Sequence, residues 1–170
     1  DNWEYFGHLR GRYTKDEIRE LDAYALDLGI ELVPCIQMLG HLATFLKNAS
    51  AAPVKDSANV LLAGADATYA LIDDMLKTIT ETFTTKKIHI GMDETKDVGR
   101  GAYLTKYGYR HHRDIYFDHL AKVIDMIKGY GLQPMMWSDM FFRMYGEDLQ
   151  GYKDYDVRVE FPEDIAALVP

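Results

Sequence analysis

Lys86-Lys87-Ile88-His89-Ile90-Gly91-Met92-Asp93-Glu94-Thr95 runs from a short β-branched stretch through a glycine into two adjacent carboxylates. Ile88 to Met92 has the length and residue types of a buried strand. Acids just beyond the carboxyl end of such a strand lie where parallel α/β folds keep their chemistry. Successive strand residues point to opposite faces, so Asp93 and Glu94 confront one ligand together only if the chain has turned before them.

Upstream, Thr14 and Glu17 have the spacing of a capping box, and Ile18, Leu21, Ala25 and Leu28 recur on one face up to Gly29, which predicts a helix. Ile30 to Gln37 predicts a strand in which Pro34, lacking an N–H, marks a bulge or an end, with Met38-Leu39-Gly40-His41 as the loop beyond. Residues 43–65, rich in small side chains and interrupted at Pro53 and Gly64, predict loop with some helix. Asp66 is positioned to cap a second helix, whose buried stripe is Ile72, Met75, Leu76, Ile79 and Phe83.

Downstream, a glycine-punctuated loop from Asp97 to Gly108 precedes a third helix from His112 to Lys128. Ile115, Leu120, Val123, Ile124 and Ile127 turn inward on it, and Gly129 and Gly131 end it. Gln133 to Ser138 predicts a third strand, followed by Asp139 and the run Met140-Phe141-Phe142. Tyr152 to Glu160 reads as loop or a short edge strand, and Pro162-Glu163-Asp164-Ile165 as a final short helix. The alternation predicts an α/β fold with three parallel strands and right-handed crossovers. A closed (β/α)8 barrel typically takes about 250 residues. Residues 1–170 are therefore expected to form one domain, either a small open sheet or an arc of a barrel.

With 170 residues, 48% of them hydrophobic and 12% aromatic, the chain has ample material for a packed core. Nineteen basic residues against 27 acidic ones give a net charge of −8, which repels a phosphate backbone, so nucleic acid is not an expected partner. No apolar run approaches the roughly 18 residues of a membrane helix. A lone cysteine, Cys35, forms no internal disulfide and is expected as a small buried hydrophobe, which tilts the expected compartment to the cytoplasm. The opening Asp1-Asn2-Trp3-Glu4 carries neither an initiator Met nor a basic leader and is expected to be a cut inside a longer protein.

Each predicted strand ends in polar or aromatic residues: Gln37 with His41, Asp93 with Glu94, and Trp137 with Asp139. In a parallel α/β fold these ends share one face, and acids beside an aromatic wall suit a carbohydrate. Adjacent carboxylates fit a conventional retaining glycosidase poorly, because its two acids face each other across the bond at about 5–5.5 Å. They fit a substrate-assisted scheme, in which Glu94 protonates the leaving oxygen and Asp93 orients a nucleophile supplied by a 2-acetamido group.

His89-Ile90-Gly91-Met92-Asp93-Glu94 resembles the His-x-Gly-x-Asp-Glu signature of glycoside hydrolase family 20 β-N-acetylhexosaminidases. Gly11-Arg12-Tyr13-Thr14, Gly40-His41 and Pro134-Met135-Met136-Trp137-Ser138-Asp139 extend the resemblance, which covers most of residues 3 to 142 and looks like the bacterial branch. The resemblance implies that residues 1–170 are a fragment of one catalytic (β/α)8 barrel domain. Its parent would remove terminal β-linked N-acetylglucosamine or N-acetylgalactosamine with retention, through an oxazolinium intermediate and without a cofactor or a metal. Glu94 would be the general acid/base, Asp93 would position the acetamido group, and His41 would orient the pair. Trp137 would wall the sugar pocket, with Asp139 as a further sugar contact. The family's early-strand Arg and its later-strand Tyr and Trp have no counterpart here, and Arg10 and Arg12, ahead of a helix, do not replace that Arg.

Plainer readings stand beside these. Asp93-Glu94-Thr95 alone could start a helix, His89 could be a satisfied interior residue, and Trp137 could be packing. His111-His112 with Asp114 reads as surface. A metal-dependent barrel hydrolase using His41, His89, Asp93 and Glu94 is one rival, and a non-catalytic sugar-binding or assembly fragment is another. An unclosed sheet also exposes edges, so self-association into a homo-oligomer is expected.

Overall fold

The computed structural model describes residues 3, 5–8, 10–145 and 160–168. Helix α1 (Lys15–Asp27) begins at the capping box: the Thr14 hydroxyl accepts the Glu17 N–H at 3.2 Å, and the Glu17 carboxylate accepts the Thr14 N–H at 2.7 Å. It ends in a Schellman motif, with Gly29 left-handed and the Ile30 N–H returning to the Ala25 carbonyl at 2.9 Å. The expected inward stripe is only partly realised. Ala25 is buried and Ile18 half-buried, whereas Leu21 and Leu28 are exposed. In their place Asp22, 1% exposed, faces inward and accepts the Thr84 N–H at 3.0 Å. A narrow face of α1 thus docks on the helix of residues 66–82 and on the lead into the first strand.

Helix α2 (Ala43–Leu46) and a 3-10 turn (Ala49–Val54) occupy the stretch read as mixed loop and helix. Helix α3 (Asp66–Thr82) buries Ile72, Met75, Leu76 and Ile79 as expected, whereas Phe83, expected on the same stripe, is the residue after the helix end and half-buried, its backbone having turned extended. Asp66 lies in its first turn, not at the cap, so it acts through the helix dipole and makes no capping hydrogen bond. Helix α4 (Ala102–Tyr107) forms inside the segment read as loop. Its start is held from a distance: the buried Asp56 carboxylate accepts the N–H groups of Gly99, Gly101 and Tyr103 at 2.7, 3.1 and 2.8 Å. Helix α5 (His112–Gly129) buries the expected residues together with Tyr116, Phe117 and His119, and ends in a second Schellman motif at Gly131. The aromatic run after the last strand folds into α6 (Asp139–Tyr145), and α7 spans Glu163–Ala166. Of the stretch read as loop or edge strand, Tyr152 to Glu160, all but Glu160 lies outside the described residues.

The described sheet has two strands, not the three expected. β1 (Lys87–His89) and β2 (Gln133–Met135) pair in parallel, with Lys87 opposite Gln133 and His89 opposite Met135. Residues 30–38 run alongside β1 but form a single bridge, Cys35 with His89, in which the Pro34 carbonyl accepts the His89 N–H and the Ile36 N–H donates to the His89 carbonyl, both at 2.9 Å. The rung before it would need an N–H at position 34 to reach the Lys87 carbonyl, and a proline has none. Lys87 turns its own N–H to the Thr85 hydroxyl at 3.1 Å.

The sheet's two faces differ. Ile88, Ile90 and Met92 point into a core closed by α3 and α5. On the other face His89 is half-buried, while Gln133, Met135 and Trp137 are exposed. Cys35 is on that face too, exposed, contrary to the expectation of burial, because the flanking residues of its segment take the inward positions. His89 is satisfied there: its Nδ1 accepts the Gly91 N–H at 3.2 Å.

Candidate active site

Beyond His89 the backbone leaves the strand geometry at once. Gly91, Met92 and Glu94 have φ of 68°, 70° and 49°, and His41 across from them has 57°. Left-handed backbone at a non-glycine residue costs on the order of 1–3 kcal/mol and persists only where the surroundings over-determine it. Three such residues meet here. The turn also removes the geometric objection to adjacent acids, because Asp93 and Glu94 no longer alternate across a pleat. Both carboxylates approach the same imidazole nitrogen: His41 Nε2 lies 3.2 Å from Asp93 Oδ2 and 3.7 Å from Glu94 Oε2.

The supports come from four directions. From α5, the buried Tyr116 hydroxyl donates to the Met92 carbonyl at 3.0 Å; burial, reinforced by Asp139 and Asp93, holds this phenol well above its usual range and therefore as a neutral donor. From the first segment, Gln37 Nε2 donates to Asp93 Oδ1 at 2.9 Å, and its Oε1 accepts the Met92 N–H at 3.3 Å. From α6, Asp139 Oδ2 accepts the Glu94 N–H at 3.4 Å and pairs with Arg143 Nε at 3.3 Å. Burial raises the Asp139 carboxyl above its ordinary value, opposed by the Glu94 amide and Arg143, while nearby Asp93 pushes it further up.

The fourth support lies behind the site, in the completely buried His119. Its Nε2 is 3.0 Å from the Met38 carbonyl and its Nδ1 3.2 Å from the Tyr69 hydroxyl. A carbonyl only accepts, so Nε2 carries the proton and Nδ1 accepts from Tyr69, whose oxygen in turn takes the Gly64 N–H at 3.2 Å. Burial drives this imidazole down to about 4, partly offset by the Met38 carbonyl. His119 is a neutral peg under the Met38-to-His41 loop.

Of the residues expected from sequence, His41, Asp93 and Glu94 are brought together at the end of β1. Trp137 is on the open face, 55% exposed, its ring centroid 4.8 Å from that of His89, and its backbone N–H donates to the Gly91 carbonyl at 3.2 Å. The Asp139 side chain is only 12% exposed and meets the Glu94 amide and Arg143. Sequence reading did not assign Gln37, Tyr116, His119 or Arg143 to the site. For Gln37 the signal was there, a polar side chain at a strand end; Tyr116 and His119 sit on a helix face indistinguishable from core. Among the described residues, no group of three or more His, Cys, Asp or Glu side chains is disposed to hold a metal ion. The described helices include none long and apolar enough to cross a membrane. A cavity of about 410 Å³ beside β2, lined by Pro134, Met136, Phe141, Phe142 and Phe161 among others, does not include the acid pair.

Known proteins resemble this chain in sequence and in fold. A β-hexosaminidase of Vibrio furnissii is 32% identical over 99 residues, which are 51% of this chain and 16% of that protein. Hexosaminidase D of Bos taurus is 25% identical over 165 residues, 89% of this chain and 48% of that one. Among solved structures, the family 20 exo-β-N-acetylglucosaminidase of Vibrio harveyi in complex with N-acetylglucosamine superposes with a TM-score of 0.65 at 25% identity, over 76% of this chain and 23% of its own. The chain spans less than half the length of each of these proteins. The likeness assigns the fold to an α/β barrel family. The sequence profile of glycosyl hydrolase family 20, catalytic domain, matches residues 4–153, a span that takes in both strands and every side chain gathered around Asp93 and Glu94, and by that match the chain belongs to glycosyl hydrolase family 20.

Proposed function

We propose that this chain is an arc of a (β/α)8 barrel and supplies the reacting carboxylates of a β-N-acetylhexosaminidase acting on terminal β-linked N-acetylglucosamine or N-acetylgalactosamine. The observation that carries the reading is the convergence of Asp93 and Glu94 on His41 Nε2 at a left-handed turn directly after β1. Glu94, the more exposed acid, protonates the glycosidic oxygen and later activates water. Asp93 holds the acetamido N–H so that the carbonyl oxygen attacks the anomeric carbon and gives a cyclic oxazolinium, opened by water with retention. His41 fixes the two carboxylates relative to each other. Trp137 offers a flat apolar face for the sugar ring, and Asp139, which also accepts the Glu94 N–H, adds a further sugar contact. The arc reading is supported by the one-sided cover of the sheet and by the apolar groove along β2, where a further strand would lie.

The test is hydrolysis of a chromogenic β-N-acetylglucosaminide by the full-length protein and by its Glu94→Gln variant. Loss of a general acid costs roughly 10²- to 10⁴-fold in turnover. Full activity without this carboxylate overturns the reading. The 170-residue chain by itself is expected to turn over weakly or not at all and to self-associate through its open sheet face. Light scattering after size exclusion reads this, and a monomer at high concentration contradicts it.

A further inference from the structure

We propose that Gln37 is a positioning residue for Asp93, which it locks so that Oδ2 alone is presented to the substrate. The inference rests on the reaction proposed above and assigns a role to a side chain outside the acid pair.

The amide orientation follows from chemistry. The Met92 N–H can only donate, so Gln37 Oε1 must face it, at 3.3 Å, and Nε2 must face the carboxylate, at 2.9 Å from Asp93 Oδ1. One side chain thereby ties the backbone before Asp93 to its carboxylate and fixes the rotation of the acid about its own bonds. Gly91 makes room for it. A Cβ at position 91 would fall 2.0 Å from Gln37 Oε1, 2.4 Å from Cδ and 2.7 Å from Nε2, so the amide occupies the space that any other residue would fill.

With Oδ1 held by Gln37, the two oxygens of Asp93 differ. Oδ2 lies on the side of His41 Nε2, 3.2 Å away, and this nitrogen is also 3.7 Å from Glu94 Oε2. A substrate N–H taking Oδ2 leaves His41 with Glu94, so the acetamido group is delivered next to the proton donor. The chemistry of the lock also suits the reaction. An amide orients a carboxylate without cancelling its charge, whereas a Lys or Arg here would neutralise the group that must face a developing cation.

The test is Gln37→Met in the full-length protein, which keeps the length and removes both hydrogen bonds. A hydrogen bond to a charged group corresponds to roughly a 10- to 100-fold drop in kcat, and KM should stay within about threefold because the Asp93 contact to the bound sugar is loosened and not removed. In an Asp93→Asn background the same substitution should add little, since coupled residues are non-additive, while a merely structural role would give independent losses. An unchanged kcat, or losses that multiply, overturns the inference. The lock is also read without turnover, from the Gln37 side-chain NH₂ signals in a ¹⁵N spectrum, which should shift in Asp93→Asn. If these signals do not move, the inference fails even in an active enzyme. If they move in a protein that cleaves no N-acetylglucosaminide, the lock stands and the reaction assignment falls.

Discussion

Two histidines meet at the same short loop, His119 packed against its first carbonyl and His41 at its end, and do opposite things. His119, behind the sheet, meets only a carbonyl and a hydroxyl, and burial keeps it neutral. His41, three residues beyond the carbonyl that His119 holds, meets two carboxylates at a partly open surface. The imidazole is the same in both, and its surroundings make one a fixed strut and the other a shared donor between acids. Stability and chemistry at this corner are therefore separable, and the separation can be broken experimentally.

His119→Ala gives the largest expected effect. It opens a cavity and leaves the Met38 carbonyl without its donor, at a cost of roughly 3–5 kcal/mol by denaturant unfolding. A smaller loss would mean that the peg is dispensable. Acid probes the same residue without mutation. The unfolded imidazole takes up a proton near its ordinary value of 6.5, and the folded one refuses it until about 4. Stability is therefore greatest above pH 6.5 and declines as the pH falls towards 4, by on the order of 3 kcal/mol, a decline that a His119→Leu variant should lack. His41→Ala should reverse the pattern: kcat/KM on the N-acetylglucosaminide falls roughly 10- to 100-fold with little change in melting temperature. If it destabilises as much as His119→Ala, the division of labour is wrong. Tyr69→Phe is the mildest, removing the hydroxyl between His119 and Gly64 for about 1 kcal/mol, with activity retained.

What the sequence makes legible follows the range of the forces involved. The Thr14 and Glu17 box, the stripes of α3 and α5, the strand before Gly91 and the acid pair are all written within a few residues of one another, and all are present. The misreadings come from one local feature given too little weight and from a docking face set by distant partners. Residues 30–37 have strand composition, yet the missing N–H of Pro34 limits their ladder to one rung. Leu21 and Leu28 match the helical period but α1 docks through Ala25 and Asp22, leaving them outside. At the site, Asp93, Glu94, His41 and Gln37 sit at strand ends that the sequence marks, whereas Tyr116 and His119 act through contacts 24 and 81 residues apart in sequence.

Asp56 restrains residues 99–103, a segment that follows the acid pair in sequence, wholly through main-chain N–H groups, and its own carbonyl also accepts the Ala102 N–H at 2.9 Å. A grip that reads no side chains is blind to what Arg100 or Leu104 become, yet sensitive to the spacing of the N–H groups and to any Cβ at Gly101, which would collide with the Asp56 carbonyl oxygen at 1.9 Å. Arg100 can therefore vary at constant length with the grip intact, whereas side chains added at Gly99 or Gly101 meet Ile115 or Asp56 and a one-residue insertion between 99 and 103 would uncouple the segment.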